Sequence, residues 1–509
     1  MQIEWQQCFG GSDSDRVFDM VSTPGGYLIA GVTNSNDGTV SYNHGESDGW
    51  VVKINKSGDY LWEKTFGGSR QDAFRRIFKC TDNSYYILGG SDSDDGDISY
   101  DPYPNNGDLW IVKIDSSGNI LWNKILGGNG DEYFYSGKVA EDGGVIALAK
   151  TASDSGDVSV YFGLFDFWIV KLSPEGDIEW DYTLGSDWQD EVGDILLTDD
   201  GGYLVSGASF MTGGGNVNCE SHGWADAIVV KLDSLKNIEW QQCYGGSDGE
   251  KFTVSLPTTD GYLFAGMTFS SDGQITEYHG DGDIWVVKTD SLGNLLWQKS
   301  YGGSNYEFPN RLFETNSGFA IIGSTASNDG NVSGNHGYDE YQDDVWILNI
   351  DYNGEIISQQ CIGGKGNEAL FRGAVRNNDH AYVIATNSSN GPSFDVQCEI
   401  NVNTYYDWWV FEAKDTSVGI SPNYSNAIKL QVYPNPADDF VRFDYAFSES
   451  SETATLRIMN LHGIELKKIP LATQGIEIWS CSDVVPGMYF YQISQEGQPL
   501  SQGKIIIGD

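Results

Sequence analysis

The sequence predicts an all-β protein: a seven-bladed β-propeller closed by its own N-terminal strand, followed by a small C-terminal β-sandwich. Three observations carry this expectation. One phrase returns seven times, its first glycines separated by 57, 60, 58, 60, 57 and 61 residues. Each return contains four short apolar runs punctuated by Gly, Asp and Asn, which is strand and turn chemistry. The seventh return lacks its last run, and the chain begins with that run. Four-stranded units repeated radially make propeller blades, and seven is a usual number of them.

The unit opens on a glycine turn such as Gly10-Gly11-Ser12, Gly67-Gly68-Ser69 or Gly302-Gly303-Ser304. Five positions after the first glycine stands an acid: Asp15, Asp72, Glu132, Asp190, Glu250, Glu307 and Glu368. An apolar "GGYLIAGVT"-like strand follows, then a polar loop ("SNDGTVS", "SDDGDIS", "SNDGNVS"). Next comes an Asp-x-Trp strand ("DGWVVK", "DLWIVK", "DWWVFE"). The last strand carries Trp62, Trp122, Trp180, Trp240 and Trp297 in register, with Ser358 in unit six. Unit seven stops near Asp415 without this strand, and Ile3 to Phe9 ("IEWQQCF") supplies it. An open ring would expose two sheet edges, each a template for aggregation. A solenoid would need polar caps at both ends and gives no reason for a split unit.

Composition sets outer limits. Acidic residues outnumber basic ones 73 to 29, for a formal charge of −44, which makes nucleic acid a poor partner. No apolar run is long enough to span a membrane as a helix. The N-terminus shows no basic n-region or apolar h-region, so a secretory leader is expected to have been removed or never to have stood in this sequence. Among the seven cysteines, Cys8, Cys243 and Cys361 share one register and Cys219 and Cys398 another. Residues in register fall in different units, so they are expected to stay unpaired as small buried hydrophobes.

The search for chemistry gives few candidates. The register acids read as braces for the glycine turns, accepting their N–H groups. The densest acidic loop, with Asp92, Asp94, Asp95 and Asp97, is the candidate for a Ca²⁺ ion, although it lacks the alternating ligands of an EF-hand. His44, His222, His279 and His336 share a register, three of them four residues before an aspartate (Asp48, Asp226, Asp283), and read as turn supports. No GxSxG elbow, HExxH helix or Cys–His pair with an orienting partner stands out. Three loops break the repeat: 211–227, 336–344 and 390–407. Trp224, Tyr338, Tyr341, Tyr405 and Tyr406 in them are the candidates for contact with a glycan or a protein surface.

The repeat resembles the secreted SBBP β-propeller family, most fully at "YGGSDGE…TTDGYLFAGMT" (244–268), over residues 1–415. After a Ser-, Asn- and Pro-containing linker at 416–430, residues 431–509 form a separate module. That module resembles the C-terminal sorting domain of type IX secretion cargo. The matching residues are Tyr433, Pro434, Asn435, Pro436 and Ala437, then Asn460 to Gly463, then Pro486, Gly487, Met488 and Tyr489, and the closing Gly503 to Ile507. The resemblance implies recognition by the type IX machinery and release or anchoring at the outer-membrane surface. The expectation is a secreted, monomeric and non-catalytic binding or adhesion protein. Alternatives are a carbohydrate-active hydrolase or lyase using acids in the central pocket, or a calcium-binding structural surface protein.

Overall fold

The computed structural model describes residues 1–98, 100–103, 106–210, 214–337, 342–377, 381–389, 391–399, 406–414, 428–433, 440–447, 454–460, 465–481, 484–485, 487–495 and 498–507. These contain strands and no helix. The chain divides into two compact units, Met1–Lys414 and Asp415–Asp509.

Among the described residues, the first unit holds seven four-stranded antiparallel sheets. The first comprises Asp15–Thr23, Gly26–Thr33, Asp48–Asn55 and Tyr60–Phe66, paired in that order. The two middle strands are buried almost throughout, which explains their continuous apolar runs. The outer strand is half exposed and carries mixed residues. Packing links each sheet to the next. Leu28 and Val51 of the first sheet share a core with Ile87 and Trp110 of the second. Equivalent clusters bridge every later junction. The last joins Val383 and Trp408 of the seventh sheet to Ile29 and Trp50 of the first, so the ring closes.

The N-terminal strand Gln2–Phe9 completes the seventh sheet by pairing antiparallel with Asp407–Lys414. Trp5 sits opposite Glu412, just as Trp62 sits opposite Lys53 in the first sheet. The same strand thus occurs in both places for one reason: each outer edge needs it.

The cysteines depart from expectation. Cys8 is disulfide-bonded to Cys398, and Cys219 to Cys243. Pairing runs between the two registers, not within one. The loop before each third strand folds over the outer strand of its own sheet, so the two cysteine positions meet. The neighbouring contacts show the same fold-over: Asn218 N donates to Gln241 Oε1 at 2.8 Å, and Gln397 N to Gln6 Oε1 at 2.8 Å. Cys80, Cys361 and Cys481 are free and buried, as small hydrophobes. Gly334 stands in unit six where Cys219 and Cys398 stand in theirs, which leaves Cys361 without a counterpart.

The second unit contains a three-stranded sheet (Ile428–Tyr433, Phe440–Phe447, Gln474–Ser480) and a four-stranded one. The latter runs Glu465–Leu471, Ala454–Asn460, Gly487–Gln495, Gln498–Ile507. Val441, Phe443 and Trp479 of one share a core with Leu456, Ile458, Ile493 and Ile505 of the other. Alternation in "ATLRIMN" places every second side chain in this core.

Candidate axial site

In the first six sheets the first strand carries a register shift two residues after its acid, for example between Val17 and Asp19, Phe74 and Arg76, and Phe134 and Ser136. A bulge leaves one residue unpaired and re-aims its neighbours. Here the unpaired residues Phe18, Arg75 and Tyr135 line a pocket of about 770 Å³ where the first strands begin.

The residues just after the bulges meet around one axis. Asp19 of the first sheet receives Arg311 Nη2 of the sixth at 2.5 Å and lies 3.9 Å from Arg76 Nε of the second. Asp194 of the fourth receives Arg372 Nη1 of the seventh at 3.3 Å. Lys138 of the third and Arg76 each stand 3.9 Å from it, and the Ser136 hydroxyl donates to it. Arg372 also donates to the carbonyls of Gly193 and Thr253, in the fourth and fifth sheets. Six first strands and the segment leading into the seventh therefore contribute to one network.

Its electrostatics are unusual for so acidic a chain. Four basic side chains (Arg76, Lys138, Arg311, Arg372) face two carboxylates (Asp19, Asp194). Burial, followed by the Arg372 charge, pushes Arg76 down to about 9. Burial likewise takes Lys138 down to about 8 against the pull of Asp194. Burial alone would raise Asp194, but Lys138, Arg372 and Arg76 outweigh it and hold the carboxyl far below its usual range. Arg76 is only 3% exposed, and its Nε and Nη1 atoms have no hydrogen-bond partner.

At the mouth the walls are aromatic and charged. Arg75 lies over the Phe18 ring at 4.3 Å, and Phe18 packs on Phe371 at 4.7 Å. Lys251 lies over Tyr135 at 5.2 Å and pairs with Glu191 at 3.2 Å. Asp92 and Asp131 border the pocket too, and burial and then the Asp131 charge raise Asp92.

Of the residues singled out in the sequence, Asp92 lines this pocket. Asp95 Oδ1 accepts from Ser69 N at 2.6 Å and Asp97 Oδ2 from Gly67 N at 3.2 Å, while Asp94 is exposed. Among the described residues no group of three or more His, Cys, Asp or Glu is arranged to hold a metal ion. Trp224 is 67% exposed and packs edge-on against Phe210. The bridge beside it, Ala225 to Gly249, is the fourth-sheet counterpart of Ser47 to Gln71, which borders the pocket, so Trp224 lies at the same end of its sheet. Tyr406 sits under the Arg16 guanidinium at 5.1 Å. Tyr338, Tyr341, Tyr405, Pro434, Asn435 and Pro436 lie outside the described residues. Tyr489 is buried, its hydroxyl donating to Val485 O at 2.6 Å; Gly487 pairs with Ile507, and Lys504 pairs through its backbone with Phe490.

The seven register acids brace the glycine turns, as the sequence suggests. Each accepts a turn N–H four residues upstream, from Gly11 N on Asp15 at 2.8 Å to Gly364 N on Glu368 at 2.8 Å. The lysines of the third strands pair elsewhere, Lys171 with Asp142 and Glu179, Lys231 with Asp200 and Glu239. Three of the register histidines bring Nδ1 to within 2.8 Å of the Asp-x-Trp aspartate.

Comparison with known proteins bears chiefly on the tail. Residues 431–508 match the family described as the secretion system C-terminal sorting domain. The chain therefore carries the mark of type IX cargo, exported to the cell surface or beyond. It is 23% identical over 187 residues to the regulatory protein FlaEY of Caulobacter vibrioides, and spans 19% of that protein's length. A crystal structure of a protein of unknown function from Bacteroides caccae aligns over 62% of this chain and 89% of its own, at 13% identity and a TM-score of 0.34. The Neurospora crassa Pan2 WD40 domain aligns over 79% and 90%, at 9% identity and a TM-score of 0.42. No helix of the described residues is long and apolar enough to cross a membrane.

Proposed function

We propose that the chain is a secreted or surface-held binding protein: a seven-bladed propeller of the SBBP type, delivered by a C-terminal sorting sandwich, that seats its ligand in the axial pocket. The observation that carries this reading is the convergence of residues from all seven sheets' inner ends on one network beside an aromatic-walled pocket. Bulges that re-aim side chains cluster next to binding sites, and a pocket of this volume suits a small ligand or one terminal residue of a larger one. The pattern-breaking loops then form an outer contact surface, with Trp224 as its exposed aromatic. The test is a glycan and extracellular-protein array probed with the secreted protein and with a Tyr135→Ala/Phe371→Ala variant. Loss of binding in a folded variant supports the axial seat. Unchanged binding moves the seat to the loops.

One observation favours a second reading. Asp92 and Asp131 both border the pocket, and the first is raised by burial and by the second. A carboxyl raised by burial beside a second carboxyl suits the acid role in glycoside hydrolysis. Hydrolysis of a panel of oligosaccharides that disappears in Asp92→Asn and Asp131→Asn would establish it.

A further inference from the structure

The face of the ring that carries the axial pocket changes character from one side to the other. In the first six sheets the residue after the second strand donates its N–H to the carbonyl of the residue before the register acid, so these two positions can be compared sheet by sheet. On the first three sheets they hold Asn34 with Ser14, Asp92 with Gln71 and Ala152 with Asp131, and Gln71, Asp92 and Asp131 line the pocket. On the next three, each pair contains a ring: Phe210 with Gln189, Phe269 with Gly249, and Ala326 with Tyr306. Trp224 likewise stands where the first, second and fifth sheets carry Glu46, Asn106 and Asp281. These rings run in contact from the fourth sheet to the sixth. Phe210 meets Trp224 edge-on at 4.8 Å, Phe269 meets Tyr306 edge-on at 6.5 Å, and Tyr306 lies nearly parallel to Phe308 at 6.4 Å. Glycines hold the gaps between them. A Cβ on Gly249 would stand 3.6 Å from the Trp224 ring and 3.9 Å from the Phe269 ring, and one on Gly282 3.0 Å from Phe269 and 3.1 Å from Tyr306. Trp224, Phe269, Tyr306 and Phe308 are all exposed. Lys251, two residues past Gly249, lies over Tyr135 of the pocket wall at 5.2 Å, so the row and the pocket share one face.

We propose that this row is a platform for an extended, uncharged polysaccharide chain, whose successive sugar rings rest on Trp224, Phe269 and Tyr306. Exposed apolar side chains gathered into one patch mark a contact surface. Here the patch is interrupted in a regular way. Each glycine between the rings is preceded by an exposed aspartate, Asp248 before Gly249 and Asp281 before Gly282, so apolar faces alternate with carboxylates. A pyranose carries the same two surfaces. Its C–H face packs on an aromatic ring, while the hydroxyls around its rim donate to carboxylates. The core of a protein interface is depleted in aspartate, so a protein partner matches the row less well. The net charge of −44 and the two aspartates repel a polyanion, which leaves a neutral chain. One sugar on each of the three rings makes a trisaccharide the shortest chain that spans the row.

This inference rests on the reading of the protein as a binding protein but not on the axial seat, and the experiment separates the two. Full-length protein is run in native gels that each contain one neutral polysaccharide (a β-glucan, a xylan, a mannan or an α-glucan), with polygalacturonate as the anionic control. The expected result is retardation by at least one neutral gel and none by polygalacturonate. Oligosaccharides of the retarding polysaccharide, titrated calorimetrically, should bind at least tenfold more tightly as the hexasaccharide than as the disaccharide. Trp224→Ala and Tyr306→Ala, each removing an exposed ring, should melt as the unaltered protein does and lose at least tenfold for the hexasaccharide. The outcome for these variants decides the row, and that for Tyr135→Ala/Phe371→Ala decides the pocket. Full binding in folded Trp224→Ala overturns the row even where the pocket variant has lost it. No retardation in any neutral gel, or equal binding of disaccharide and hexasaccharide, overturns it as well. Self-association seen by sedimentation and abolished by Trp224→Ala, without retardation in any gel, gives the row to a protein contact instead.

Discussion

At the residue scale the most regular feature is the buried acid at the start of each unit. Glu307 is fully buried, accepts from Gly303 N at 3.0 Å and from the Thr325 hydroxyl at 2.7 Å, and is pushed up to about 7 by burial. Glu368 is likewise raised to about 7, and Asp190 to about 6. A carboxyl whose folded pKa exceeds its unfolded value binds its proton more tightly in the folded chain. Its stabilising contribution is full below the unfolded value near 4.5 and is lost as pH rises towards 7. The melting temperature should therefore fall between pH 5 and pH 8, and Glu307→Gln should flatten part of that fall. Glu307→Ala orphans the Gly303 N–H and should cost about 1–3 kcal/mol in urea unfolding at pH 5. These braces were legible because they repeat. The axial residues were not, for the opposite reason. The position four after each acid reads Asp19, Arg76, Ser136, Asp194, Val254, Arg311, Arg372, so it varies in charge where the rest of the strand repeats. That variation was the available signal. Only the closed ring shows that these differing residues are neighbours.

At the element scale, strand Gln2–Phe9 holds the ring shut, and Cys8–Cys398 fastens it to the loop that folds over it. Cys398→Ala should lower stability by about 2–4 kcal/mol in denaturant melts. Cys219–Cys243 closes a shorter loop within one sheet, with a separation of 24 against 390 residues, so Cys219→Ala should cost less. Removing residues 1–9 bares the Asp407–Lys414 edge, and size-exclusion chromatography should then show oligomers. The completing strand was legible as a deficit at one end and a surplus at the other. The disulfides were hidden because sequence register compares like positions in different units. The bond joins unlike positions in one sheet, and only the fold-over of the loop brings them together.

At the scale of the whole molecule, two units divide the labour. The tail matching the sorting family carries the address, so a chain ending at residue 414 should remain in the producing cell, with fractionation and immunoblotting as the check. The first unit gathers a basic surplus at its axis, four basic side chains facing two carboxylates. Four-strand units and a ring were readable from spacing alone. The axial network was not, since each unit gives it one or two residues, and no single stretch contains it. The most direct measurement is a crystal structure of the secreted protein grown with a ligand identified on the array. Density for that ligand in the axial pocket, against Tyr135 and Phe371, is the predicted result. An axial pocket filled by water alone, with ligand bound at the outer loops near Trp224, would contradict it.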